Sequence, residues 1–174
     1  MMKAKATSAS GDFHLTRSAF AGFTGGYVMA LAGYWMEAVL GISELDFAHA
    51  GLRYVSGGKQ GWWVVGILFH LIDSVLLGIL YAAVVNRRLM WLEKVFGRFW
   101  GSIVAGIAFA LGVWLVLAML IAMPFIGVGA FGRNTGSARP AIASLGLHLI
   151  FGSLLGFIYG HHACSSHAER GSER

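Results

Sequence analysis

The chain has 174 residues, of which 57% are hydrophobic and only 12% charged, with a formal net charge of +5. Soluble domains carry about 25% charged residues, so a water-soluble globule of this length could not cover its surface. High hydrophobicity also excludes intrinsic disorder, and a single cysteine, Cys164, excludes a disulfide scaffold. An integral membrane protein remains, in keeping with a mean hydropathy of +0.69.

The expected fold is all-α: an integral membrane four-helix bundle made of two repeated transmembrane hairpins. Residues 1–18 read as an N-terminal tail, 19–160 as the transmembrane domain and 161–174 as a C-terminal tail. Within the domain, Ala19–Leu40, Trp62–Val85, Phe99–Met123 and Pro140–Gly160 are each long enough and apolar enough to cross a bilayer. Their continuous apolar composition argues for helices rather than the alternation of a membrane barrel. Pro124 closes the third span, and Pro140 stands where a first-turn proline is tolerated.

Lys and Arg set the orientation. Lys3, Lys5, Arg17, Arg87, Arg88, Lys94, Arg98, Arg170 and Arg174 fall on one side; Arg53, Lys59, Arg133 and Arg139 fall on the other. Nine against four places both termini in the cytoplasm, with segments 41–61 and 124–139 outside. The net charge then serves topology and anionic lipid rather than nucleic acid. Trp62, Trp63, Trp91 and Trp100 stand near span ends, where an aromatic belt is expected.

An internal repeat organises the spans. The second contains His70-Leu71-Ile72, Leu76-Leu77-Gly78 and Tyr81; the fourth contains His148-Leu149-Ile150, Leu154-Leu155-Gly156 and Tyr159, without a gap, at an offset of 78. The first and third match more weakly at an offset of 79, through Gly22 and Gly101, Gly33 and Gly112, and Trp35 and Trp114. His70, Ser74, Gly78 and Ala82 recur every four residues, as do His148, Gly152, Gly156 and Gly160. Such small-residue ridges are close-contact faces. The expectation is that the second and fourth spans meet through them. Phe109, Trp114, Leu117, Leu120, Tyr27, Tyr34 and Trp35 would then face outward.

The glycine-rich first span (Gly22, Gly25, Gly26), the segment from Pro124 to Gly129 and the ending His148 to Gly160 together resemble a family of small prokaryotic four-helix membrane proteins, described as a domain of unknown function. The resemblance covers about residues 20–160 and implies the fold and an association with respiratory genes. It carries over no catalytic residue.

Three residues within the spans could carry chemistry. Asp73 lies near the middle of the second span, three residues after His70, as a proton-relay step, a partner of His70, or a hydrogen-bonded lock between helices. His70 and His148, at matched depth, could be the axial ligands of a b-type haem, or interhelical hydrogen-bonding residues. Beyond the spans, His161, His162, Cys164 and His167 match no standard metal-site spacing, and no phosphate-binding or hydrolase motif is present.

The expectation is therefore a non-enzyme without resident metal or cofactor: an accessory subunit of a larger membrane complex, respiratory or otherwise electron-transferring, with other integral membrane subunits and lipid as partners. The alternatives are a small proton-coupled transporter or channel using Asp73, and a haem-binding electron carrier using His70 and His148.

Overall fold

The computed structural model describes residues 9–42, 51, 62–88 and 90–172. Among them the chain is helical, without strands. Helix α1 is Ala9–Leu40, α2 Trp62–Arg88, α3 the short Met90–Phe96, and α4 Arg98–Val113. The rod of α4 continues as a π-helical stretch, Trp114–Ala122, and a last α-turn, Met123–Phe125. A 3-10 segment, Ala130–Thr135, leads into α5, Arg139–Ser172.

Three segments are long and apolar enough to cross a membrane: Trp63–Val84, Phe99–Phe125 and Arg139–Tyr159. They reproduce the second, third and fourth expected spans to within two residues at each end. The first expected span lies inside α1 but is not among the three. Its glycines, Thr24, Tyr27, Tyr34 and Trp35 dilute its hydropathy while leaving its length intact. Both presumed tails are partly helical, because α1 starts at Ala9 and α5 runs to Ser172. The side chains of His161, His162, Cys164 and His167 lie outside the described residues, as do Arg53 and Lys59 of segment 41–61.

Helix packing departs from the expected pairing. Helix α1 packs against both α2 and α5, and α4 packs most extensively against α5. The small-residue ridge of α2 therefore meets α1, and that of α5 meets α4; the two ridges do not meet each other. At the first contact, a Cβ on Gly22 would overlap the Ser74 carbonyl oxygen, and one on Gly78 the Ser18 carbonyl oxygen. At the second, a Cβ on Gly106 would overlap the Gly152 carbonyl oxygen, and one on Gly156 the Ser102 carbonyl oxygen. In lipid there is no hydrophobic force to join helices, so close backbone approach and dispersion must do it. The serines behave as small residues here. Ser18 Oγ donates to Leu15 O at 2.8 Å and Ser74 Oγ to His70 O at 2.7 Å, so neither hydroxyl needs a neighbour.

Between α1 and α5 the contact is of another kind. Phe151, 2% exposed, lays its ring on Gly25, where a Cβ would stand 3.0 Å from Phe151 Cδ2. A core then forms around Ala21, Tyr81, Ala105, Ala110, Phe151 and Leu155, joined by Leu92 of α3.

Two residues expected to point outward turn inward. Phe109 packs edge-on to Tyr81, and Trp114 packs with Ala118, Met119, Met123 and Val128. The π-helical stretch explains the second. Inward positions step by four or five residues, from half-buried Trp114 to buried Ala118 and Met119 and on to Met123 of the following turn, which matches a wider turn than 3.6. Tyr27, Trp35, Leu117 and Leu120 are exposed as expected, and Tyr34 is half-buried.

The segment after the third span folds onto that end of the bundle. Phe131, with φ 55°, sets its ring edge-on to Trp114 at 5.9 Å. Asn134 holds the turn by donating from its backbone N–H to Val128 O and from Nδ2 to Gly127 O, each at 3.0 Å. Gly129, at φ 75°, lets the chain reverse beside that side chain: a Cβ would stand 2.8 Å from Asn134 Cγ.

Candidate functional site

The candidate residues occupy two helices, with His70 seven residues after Trp63 and His148 nine after Arg139, the starts of their apolar segments. On α2, His70 Nε2–H donates to Gly26 O of α1 at 3.0 Å. On α5, the buried His148 donates from Nδ1–H to Ser144 O, one turn back on its own helix, at 2.8 Å. A carbonyl only accepts, so the two rings carry their bonded hydrogen on opposite nitrogens. His70 thus fastens α1 to α2, one turn beyond the Ser74–Gly26 contact. A Cβ on Gly26 would overlap the Ser74 side chain and lie 3.8 Å from His70 Nε2.

That geometry bears on the haem reading. The Nε2 of His70, an atom that would ligate iron, is engaged by Gly26 O. The ridge of His148 lies against α4, not α2. His70 therefore joins α1 to α2, whereas the hydrogen bond of His148 stays within its own helix. Replacing His70 by leucine should lower thermal stability in detergent by about 0.6 kcal/mol, the mean worth of an interhelical hydrogen bond in a membrane protein. It should not change the visible absorption spectrum; a Soret band that disappears in this variant contradicts the assignment.

Asp73 is placed differently. It follows His70 by three residues but is exposed, and among the described residues no side chain or backbone group hydrogen-bonds its carboxyl. The residue 78 positions later, Phe151, is buried against α1. The difference lies in the neighbours: α1 covers that side of α5, whereas α2 has few close approaches to α4.

The link between α2 and α4 is a side chain that the sequence marked only as part of the match at an offset of 78. Tyr81, 2% exposed, donates from its hydroxyl to Ser102 O at 3.1 Å, and Ser102 Oγ donates to Gly156 O at 2.9 Å. The Tyr81 ring also stands edge-on to Phe109 and to Tyr159, both with centroids at 5.5 Å. The repeat pattern matched Tyr81 with Tyr159; the structure brings the two together. A signal was present in the sequence: Ser18-x-x-Ala21-Gly22 and Ser102-x-x-Ala105-Gly106 are the same motif at an offset of 84.

Buried Trp114 Nε1 has no hydrogen-bond partner among the described residues, and none of them form a group of three metal-ligating side chains. Compared with protein-family models, curated proteins and solved structures, the chain matches none.

Proposed function

We propose that this protein is a non-catalytic accessory subunit whose work is to pack beside another chain within the membrane. One observation carries the reading: Asp73 stands mid-span on the outer side of α2, exposed and without a hydrogen-bonding group of its own chain among the described residues. A carboxyl facing lipid at that depth is costly, and a neighbouring chain removes the cost. Exposed Leu76 and Leu80 beside it supply apolar contact area.

In this reading the chain crosses the membrane four times, as two repeated hairpins with both ends in the cytoplasm. The matching contacts support the repeat. Gly22 meets Ser74 and Gly78 as Gly106 meets Gly152 and Gly156, the partners differing by 84 in one helix and 78 in the other. Membership of an electron-transfer assembly rests on the family resemblance alone. The transporter reading is weaker, because Asp73 faces away from the α1 contact rather than into a path between helices.

Purification from native membranes in mild detergent should yield a particle well above the mass of one chain, including other integral membrane subunits. Recovery as a lone monomer that keeps its fold overturns the proposal.

A further inference from the structure

Arg133 and Arg139 stand at the end of the bundle where the expected orientation calls for the fewest cations. Topology therefore explains neither of them. Both are exposed, and neither guanidinium has an ion pair or hydrogen bond among the described residues. No acidic residue occurs in the sequence from 124 to 168.

The backbone gathers the two arginines in one place. Thr135 Oγ1 stands 2.8 Å from Gly132 O and 3.1 Å from Ser137 O, and a Cβ on Gly132 would overlap the Ser137 carbonyl oxygen. Residues 132 and 137 thus touch and close the loop between them. Arg133 stands just inside one end of that loop and Arg139 just beyond the other. Phe131 on Trp114, and the two bonds of Asn134, fix the loop to the bundle.

Their depth limits what they can meet. The apolar segment Phe99–Phe125 ends before this loop, and Arg139–Tyr159 starts with Arg139 itself. Both arginines therefore lie where hydrocarbon gives way to headgroups. Ile142, 66% exposed, is on the same side of α5 as Arg139 and about 4.5 Å further along the span. A matching ligand is anionic at the level of the arginines and apolar one turn deeper.

We infer that Arg133 and Arg139 bind the phosphodiester of an anionic phospholipid, whose acyl chain runs along Ile142. A guanidinium presents paired N–H donors that suit two oxygens of one phosphate. Two guanidinia with no acid beside them favour a headgroup of net negative charge over a zwitterionic one, whose ammonium they repel. Free phosphate has the charge but nothing to lay on Ile142. This goes beyond the subunit reading and does not depend on it.

The test returns the delipidated full chain to liposomes of phosphatidylcholine that hold a trace of phosphatidylglycerol with a photoreactive headgroup. After irradiation, peptide mapping locates the label. The wild type should carry label within residues 131–142 despite the excess of phosphatidylcholine. Unlabelled phosphatidylglycerol should compete for it, and inorganic phosphate should not. Arg133→Gln together with Arg139→Gln should lower the label in this stretch about tenfold, the loss expected from a hydrogen bond to a charged group. Both side chains are exposed, so the double variant should melt like the wild type. Label at the other, more basic end of the bundle should not change.

A wild type without label in residues 131–142 overturns the inference, and that result needs no variant to fold. Undiminished label in the double variant overturns it as well. Competition by inorganic phosphate as strong as by phosphatidylglycerol makes this a site for the free ion and overturns the lipid. Glu44 and Asp46 lie outside the described residues. If Glu44→Gln with Asp46→Asn raises the label about tenfold, the worth of one such bond, the arginines were held by their own chain and the inference fails.

Discussion

Replacing Gly156 by leucine should prevent the helices from assembling. A Cβ at this position would overlap the Ser102 carbonyl oxygen and stand 2.7 Å from Ile103 Cα. Both are backbone atoms of α4 and cannot swing aside as the end of a long side chain can. The helices must separate, and the Ser102 Oγ bond to Gly156 O and the Tyr81 bond to Ser102 O go with the contact. Overpacking alone costs about 1–3 kcal/mol, and each lost interhelical hydrogen bond adds about 0.6 kcal/mol. The combined loss, about 3 kcal/mol or more, is a large part of the stability of a small domain. Size-exclusion chromatography in detergent should show loss of the monodisperse peak. Gly112→Leu is the matched control, because a Cβ there meets nothing within 4 Å. If Gly156→Leu elutes and melts like the wild type, the α4–α5 contact is not where the structure places it.

Truncating Tyr81 to alanine should be the second most damaging change. Its ring is almost wholly buried among Phe109, Tyr159 and Leu77, and its hydroxyl reaches Ser102 O. In a soluble protein, emptying an aromatic site costs about 3–5 kcal/mol. Part of that is transfer from water, which is missing when the separated helices already sit in lipid. What remains is the cavity, the lost edge-to-face contacts and one hydrogen bond, together about 2 kcal/mol. Tyr81→Phe keeps the ring and should lose about 0.6 kcal/mol, the hydrogen bond alone. Thermal melts in detergent separate the two. Equal losses would mean that the hydroxyl, not the ring, joins α2 to α4.

These two sites show how unevenly the sequence disclosed this protein. Composition determined the helical membrane class, because a backbone in hydrocarbon must satisfy its own hydrogen bonds and a long apolar run does so as a helix. Span limits followed from apolar runs bounded by charge and proline, and the described helices agree with them closely for three segments. The glycine and serine ridges were readable as contact faces, since residues four apart share a helix side whatever the tertiary structure.

Which ridge meets which was not readable. A small-residue face fits any other small-residue face, so His70, Ser74 and Gly78 were equally suited to α1 or α5; the packing of whole helices decided for α1. The same packing decided that Phe151 is buried on Gly25 while Asp73, at the corresponding place, is exposed. Nor did the run from Trp114 to Ala122, uniformly apolar, announce a π-helical turn. A wider turn differs from an ordinary one in backbone rotation rather than residue type, and packing half-buried Trp114 with Met119 and Met123 is a tertiary demand. The sequence alone thus determined which residues can approach closely and where along its apolar run the carboxyl lies. Only the tertiary structure decided what they approach, because lipid rewards the closest available fit and that depends on every helix at once.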